Sequence, residues 1–143
     1  MIDKTYTSSS VEETEKIAYE LAQTLSGGEV IAYTGGLGAG KTAFTRGLAK
    51  GLDVIGEVCS PTFALVHEYQ KGCKGVYLYH FDMYRISGFD DLYSTGFFDY
   101  MSDDSVLAIE WSENVTEHLP EHTIFVDITV INENSRKIKI HQN

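Results

Sequence analysis

The spacing of apolar residues indicates an alternation of helices and strands, beginning with a helix near the N-terminus. Residues 11–25 carry apolar side chains three and four positions apart from Ile17 onward, which predicts an amphipathic helix. We expect one of the serines at positions 8, 9 and 10 to cap this helix, because a serine oxygen accepts hydrogen bonds from unpaired N–H groups. The glycine pair at positions 27 and 28 is expected to end it.

The next apolar segments predict a strand followed by a second helix. Residues 30–33 are continuously apolar and predict a buried strand, whereas residues 42–50 predict a helix with Phe44, Leu48 and Leu52 on one face. Two hairpins, one further strand and short helices are also predicted: strands 63–69 with 76–81, strand 105–109, strands 123–131 with 137–140, and one or two helices in 88–100. This mixture predicts an α/β fold with a mainly parallel sheet, antiparallel additions and helices on both faces.

A glycine-rich segment lies between the strand and the second helix. Residues 35–42 read GGLGAGKT and match the phosphate-loop pattern, with Gly35, Gly40, Lys41 and Thr42 at the fixed positions. Glycine permits main-chain angles that turn successive N–H groups toward a polyphosphate, and the helix N-terminus adds partial positive charge. We therefore predict nucleoside triphosphate binding, with Lys41 reaching the β- and γ-phosphates and the Thr42 hydroxyl coordinating Mg²⁺.

Length and charge narrow the remaining possibilities. The 143 residues, of which 43% are hydrophobic, suit a single domain spanning residues 1–143. The net charge of −10, with three arginines and eight lysines, makes the chain a poor nucleic-acid binder by itself; the basic cluster is Arg136, Lys137 and Lys139. There is no apolar run near the ~20 residues that span a bilayer, no signal-peptide core at the N-terminus and no metal spacing between Cys59 and Cys73. We expect a cytoplasmic protein with no membrane partner.

Acidic residues follow two of the predicted strands. Glu110 ends the strand 105–109, and Asp82 ends the strand 76–81. Ligands of open α/β sheets bind beyond the carboxyl ends of the strands, so both acids could face the phosphates, although solvated acids at strand ends are common. Thr62, in the segment Ser60-Pro61-Thr62, could reach Mg²⁺ and the γ-phosphate as switch loops do, or belong to an ordinary proline turn. Trp111 directly follows Glu110 and could equally serve core packing.

Two other kinds of site are disfavoured. The histidines show no metal-ligand spacing and are interpreted as surface or polar core residues; they are His67, His80, His118, His122 and His141. The segment DVIG at residues 53–56 matches the GTPase pattern D-x-x-G, but it lacks a preceding strand, and no guanine-reading N-K-x-D motif is present. The sequence therefore argues against a GTPase.

Four motifs together resemble one family. The segments GGLGAGKT at 35–42, SPTFALVHEY at 60–69, HFDMYR at 80–85 and IEWSE at 109–113 resemble those of the TsaE family in order and spacing over nearly the whole chain. The resemblance implies a P-loop NTPase-like three-layer sandwich and a small bacterial ATPase that uses ATP and Mg²⁺ in tRNA threonylcarbamoyladenosine (t6A) modification. It also implies partnership with the TsaB–TsaD heterodimer, in which TsaD transfers the threonylcarbamoyl group, while tRNA is contacted only through the complex.

The resemblance also implies roles for individual residues. Gly35 and the segment Gly38, Ala39, Gly40, Lys41 and Thr42 would bind phosphates, and Thr42 with Glu110 would bind Mg²⁺. Thr62 would belong to a switch-like loop, Asp82 would support hydrolysis, Trp111 would lie beside the nucleotide, and residues 10–14 would lie near the adenine. The chain departs from the family pattern at Gly36, usually Asp, and at Ala64 and His67, usually Thr and Asn, which affects the expected ordering of the switch-like loop.

Two other functions share the phosphate loop. A small-molecule or nucleoside kinase would use the same loop and acids, but such enzymes clamp phosphates with several arginines. The three arginines here provide little for that task. A nucleotide-binding regulatory module that does not hydrolyse ATP is the other alternative.

Overall fold

The computed structural model describes residues 2–36, 39–56 and 66–142. The predicted strands and helices occur in the predicted order within these ranges, and one further strand precedes them. The strands are β1 Asp3–Ser8, β2 Val30–Thr34, β3 Val66–Tyr69, β4 Tyr77–Asp82, β5 Ser105–Glu110, β6 Ile124–Val130 and β7 Arg136–Gln142. The helices are α1 Val11–Ala22, α2 Lys41–Leu52, α3 Phe89–Ser94 and α4 Phe97–Tyr100, with 3-10 turns at Ser112–Asn114 and Thr116–His118.

The described strands form one mixed sheet in the order β1-β7-β6-β2-β5-β4-β3. The four central strands, β6, β2, β5 and β4, run parallel, while β3, β7 and β1 are added antiparallel at the two edges. Both predicted hairpins are present, as β3–β4 and β6–β7. The parallel centre brings the carboxyl ends of β2, β4 and β5 to the same edge of the sheet.

Alternation of side chains along the central strands creates a core on each face of the sheet. Ile31 and Tyr33 of β2 pack in the cluster that contains the buried residues of α1 and α2. Val30 packs instead with Leu107 on the opposite face, in the cluster that includes residues of α3 and α4. The predicted three-layer α/β arrangement is confirmed. None of the helices in the described part of the chain is long and apolar enough to cross a membrane.

Helices α1 and α2 approach each other closely because two glycines of α2 face α1. A Cβ atom on Gly47 would lie 2.2 Å from the carbonyl oxygen of Glu15, and one on Gly51 would lie 2.4 Å from Cβ of Ala22. The close contact matters for the site, since α2 begins at the glycine-rich loop. Packing against α1 fixes the direction in which α2 presents its N-terminus.

The structure corrects the sequence prediction near the N-terminus. Strand β1 was not predicted, because its residues are mostly exposed and it exists through antiparallel pairing with β7. The prediction that helix α1 ends at the glycine pair is wrong: it ends at Ala22, and turn-like hydrogen bonds follow. The Thr24 hydroxyl donates to the carbonyl oxygen of Leu21 at 2.7 Å and competes for an acceptor that a longer helix would use.

Candidate nucleotide site

The glycine-rich loop leaves β2 and enters α2 through two glycines with left-handed or related main-chain angles. Gly35 has φ 132° and Gly40, the residue before α2, has φ 109°. A Cβ atom on Gly35 would lie only 2.4 Å from the carbonyl oxygen of Ile128. Glycine is therefore required at position 35 by space and by angle, and at position 40 by angle. The predicted phosphate-binding residue Gly38 lies outside the described residues.

The N-terminus of α2 differs from that of α1 in a way that suits an anion. Helix α1 is capped by Ser10, whose hydroxyl accepts from the Glu13 N–H, and it has acidic residues in its first turn. Helix α2 has neither a capping side chain nor an acidic residue in its first turn. Its positive end is thus not neutralised by its own side chains, and a phosphate fits there.

Lys41 is buried at the start of α2 and points toward the carboxyl ends of the parallel strands. Its Nζ donates to the carbonyl oxygen of Gly35 at 3.2 Å and lies 3.7 Å from Oε1 of Glu110. The same ammonium group lies 5.2 Å from the centroid of the Trp111 ring, within cation–π range. The structure therefore brings Lys41 to Glu110 and Trp111, two consecutive residues that lie far from it in the sequence.

The two acids predicted at strand ends lie side by side. Asp82 pairs with Glu110 in the parallel register of β4 and β5, and the alternation of side chains places both on the face covered by α2. Glu110 is buried, whereas Asp82 is half-buried and accepts a hydrogen bond from the Tyr84 N–H at 3.0 Å. Thr42 lies next to Lys41 in the first turn of α2 and is half-buried.

Glu110 remains ionised in spite of its burial. Burial is the largest influence and favours the neutral acid, but the adjacent His80 imidazole and the Lys41 ammonium group together outweigh it and hold the pKa of Glu110 below its ordinary value of 4.5. An ionised carboxylate is the form that a hard cation such as Mg²⁺ prefers.

His80 is the site residue that the sequence interpretation missed. It is fully buried, and its Nε2 lies 2.8 Å from Oε2 of Glu110, on the side opposite Lys41. Neither ring nitrogen makes a well-directed hydrogen bond to a described residue, so the contact with Glu110 is a close approach of two polar groups. The Tyr33 ring packs edge-on against the imidazole, with 6.4 Å between the ring centroids. A polar residue two positions before Asp82, within an otherwise apolar strand, was the available signal.

The oxygen ligands present fit Mg²⁺ bound together with a nucleotide. Thr42, Asp82 and Glu110 offer one hydroxyl and two carboxylates, all hard donors. In the ranges that the structure describes, no cluster of three or more His, Cys, Asp and Glu side chains is arranged to hold a metal ion alone. Mg²⁺ is usually bound through one or two carboxylates, waters and the phosphates of a substrate.

Trp111 adopts a left-handed conformation, with φ 58°, directly after β5. Its ring packs edge-on against Tyr84 at 5.1 Å and also contacts Lys41. Because it is the chain's single tryptophan, its fluorescence would report on the environment of Lys41 and Glu110.

Other predicted residues are either engaged elsewhere or not described. Within residues 10–14, Ser10 caps α1 and the buried Thr14 bonds to the Ser8 hydroxyl at 2.7 Å, so their expected proximity to adenine stays a prediction. Thr62 and Ala64 lie outside the described residues. His67 stacks on Tyr69 in β3 at 4.6 Å.

A glycine-rich loop that leads into an uncapped helix, with a buried lysine facing acids at the ends of parallel strands, defines the phosphate-loop class of α/β proteins. Within that class the chain belongs to the TsaE family. The family model described as "Threonylcarbamoyl adenosine biosynthesis protein TsaE" matches residues 8–138.

Individual relatives agree with this assignment. The chain is 42% identical over 135 residues to the tRNA threonylcarbamoyladenosine biosynthesis protein TsaE of Aquifex aeolicus. The aligned region covers 93% of this chain and 92% of the relative. It is 35% identical to the protein of the same name from Treponema pallidum, over 93% of this chain and 96% of the relative. The crystal structure of YdiB from Bacillus subtilis superposes with a TM-score of 0.74 at 31% identity, covering 98% of this chain and 86% of YdiB.

Proposed function

We propose that this protein is a magnesium-dependent ATPase of the machinery that makes threonylcarbamoyladenosine in tRNA, and that it acts with TsaB and TsaD. The observation that carries the enzymatic part is the contact of Lys41 with Glu110 at an uncapped helix N-terminus. The names of the relatives support the tRNA-modification pathway. Thr42 and Glu110 would hold Mg²⁺, and the bound ion would supply positive charge to the phosphates.

The residues around the loop have distinct tasks in this proposal. Lys41 exchanges its contact with the Gly35 carbonyl oxygen for the β- and γ-phosphates, which neutralises charge that builds up during phosphoryl transfer. Asp82, adjacent to Glu110 and less buried, orients the attacking water. His80, whose Nε2 lies 2.8 Å from the far oxygen of Glu110, limits the movement of the carboxylate when Lys41 turns away.

The arginines support hydrolysis rather than transfer to a small acceptor. Arg46 pairs with Glu15 of α1 at 3.8 Å, and Arg136 donates to main-chain carbonyl oxygens. Two of the three arginines thus already form contacts within the protein. Few guanidinium groups remain to bind the phosphate of an acceptor, as kinases do.

Charge supports an indirect relation to tRNA. A net charge of −10 opposes binding of a phosphate backbone, whereas a protein partner can hold both the tRNA and this chain. We expect the switch-like loop with Thr62 to link nucleotide state to docking on the TsaB–TsaD pair.

The proposal is tested by ATP turnover of the full chain with and without the TsaB–TsaD pair, in the absence of any acceptor. Phosphate release that depends on Lys41 and rises when the pair is added is the expected result. Lys41→Ala should abolish release and weaken ATP binding in calorimetry. Lys50→Ala is the matched control, since it removes an exposed lysine from the same helix. Equal ATP affinity in wild type and Lys41→Ala would overturn the nucleotide assignment.

A second measurement tests the partner. The protein is expected to bind the TsaB–TsaD pair more tightly with an ATP analogue than with no nucleotide, and Thr62→Ala should reduce that difference while ADP affinity persists. Strong tRNA binding by the isolated chain at physiological salt, or partner binding that ignores nucleotide, would contradict this part of the proposal.

A further inference from the structure

Arg136 joins the β6–β7 hairpin to the glycine-rich loop. Its Nε donates to the carbonyl oxygen of Ala39 at 3.1 Å. Its Nη1 donates to the carbonyl oxygens of Asn132 at 2.8 Å, Ser135 at 3.0 Å and, more weakly, Glu133 at 3.4 Å. Four main-chain carbonyls therefore surround one guanidinium group. This arginine is the first residue of the basic cluster in the sequence. Its side chain is half-buried and is hydrogen-bonded to the main chain, whereas Lys137 and Lys139 are exposed.

The hairpin also supports the other end of the loop. Gly35 lies against the carbonyl oxygen of Ile128 in β6, so closely that no side chain fits. Next to it, the Thr34 hydroxyl donates to the carboxylate of Asp127, also in β6. Both ends of the glycine-rich loop thus rest on β6–β7, and Arg136 contacts the end that leads into α2.

The orientation of a single peptide group connects Arg136 to ligand binding. In a trans peptide the carbonyl of one residue and the N–H of the next point in opposite directions. A carbonyl of Ala39 held toward Arg136 therefore turns the N–H of Gly40 the opposite way. Anion-binding loops need successive N–H groups directed at the ligand and carbonyl oxygens directed away from it.

We infer that Arg136 is a positioning residue of the phosphate loop, which holds the Ala39–Gly40 peptide so that the Gly40 N–H faces the phosphates of a nucleoside di- or triphosphate. The inference rests on the proposed nucleotide site. A guanidinium group suits this task because its planar fork bonds several carbonyls at once, which an ammonium group on a flexible stem does less rigidly.

The test compares ADP affinity, by calorimetry on the full chain, among wild type, Arg136→Gln, Arg136→Lys and Lys139→Gln. Arg136→Gln and Lys139→Gln each remove one positive charge from β7, but Lys139 is exposed on that strand. Arg136→Gln should weaken ADP binding about tenfold, equivalent to about 1.4 kcal/mol. Lys139→Gln should stay within about twofold, a difference of less than about 0.5 kcal/mol, and Arg136→Lys should lie between the two.

Hydrogen exchange of the Gly40 and Lys41 amides is measured in the nucleotide-free protein. A general loss of stability would raise the exchange rate throughout the protein, whereas a change in the loop alone would raise it only at these amides. Faster exchange at these amides in Arg136→Gln, with unchanged exchange in the central strands, is expected. Wild-type ADP affinity in both Arg136 variants, or an equal loss in Lys139→Gln, would overturn the inference. Failure of the wild-type protein to bind ADP would instead overturn the proposed function, so the two failures are distinguishable.

Discussion

Replacing Gly47 with alanine tests whether the close approach of α1 and α2 is required for stability. A Cβ atom at this position would lie 2.2 Å from the carbonyl oxygen of Glu15 and 2.7 Å from Cβ of Ala18. The first of these atoms belongs to the main chain and cannot rotate away. To restore a separation of 3.0 Å from the oxygen, the two helices must move apart by about 0.8 Å.

The expected magnitude follows from two opposing effects. Overpacking in a well-packed interior typically costs about 1–3 kcal/mol. The change from glycine to alanine within a helix returns about 1 kcal/mol, because alanine has the higher helix propensity. The net loss in the free energy of unfolding is therefore about 0–2 kcal/mol. We expect Gly47→Ala to fall in the upper part of this range, because the atom at 2.2 Å is a main-chain oxygen. Because α2 carries Lys41 and Thr42, nucleotide affinity should fall as well.

Urea unfolding followed by circular dichroism gives this free energy directly. Gly36→Ala is the control, since the same chemical change is made where no atom of the described residues, apart from the chain neighbours, lies within 4 Å of the new Cβ. That variant should stay within about 0.5 kcal/mol of wild type. A Gly47→Ala protein as stable as wild type, or more stable, would refute the argument that the helix contact leaves no room for a methyl group.

Three further predictions concern single side chains. The lowered pKa of Glu110 means that its ionised form stabilises the native state above pH 4.5, and that this contribution is lost as the pH falls through the native pKa. The difference in the free energy of unfolding between wild type and Glu110→Gln should therefore shrink as the pH falls through that range. Parallel curves of stability against pH for the two proteins would contradict this prediction. His80→Phe keeps a buried ring but removes the nitrogen beside Glu110, so carboxyl-carbon NMR should show a raised pKa for Glu110; an unchanged pKa would mean that the imidazole does not stabilise the carboxylate. Ser10→Ala removes the cap that accepts from the Glu13 N–H and should cost about 1 kcal/mol in thermal or urea unfolding, whereas a neutral effect would show that water replaces the cap.

Local features of the fold could be predicted because they depend on short-range pattern. Helix α2 follows from the spacing of Phe44, Leu48 and Leu52, all of which are buried on one face. Both hairpins follow from turn-rich segments between apolar runs. The end of α1 could not be predicted in this way, since the Thr24 hydroxyl competes for a helix carbonyl in a manner that spacing does not reveal.

The candidate site also has one part that the sequence could predict and another that depends on the tertiary structure. The phosphate loop is a contiguous motif, so the sequence alone predicts where glycines with unusual main-chain angles are required. The adjacency of Asp82 and Glu110 is different: each was predicted at the end of a strand, but only the parallel pairing of β4 with β5 makes them neighbours.

The sequence by itself determined the phosphate-loop pattern, the α/β class and the resemblance to the TsaE family, because these depend on local spacing and contiguous motifs. Only the tertiary structure decided the contacts of His80 and Arg136. His80 is separated from Glu110 by thirty positions in the numbering and touches it because two strands pair. Arg136 reaches Ala39 from a hairpin at the other end of the chain. Contacts between distant segments are set by strand order and register, and no local spacing encodes them.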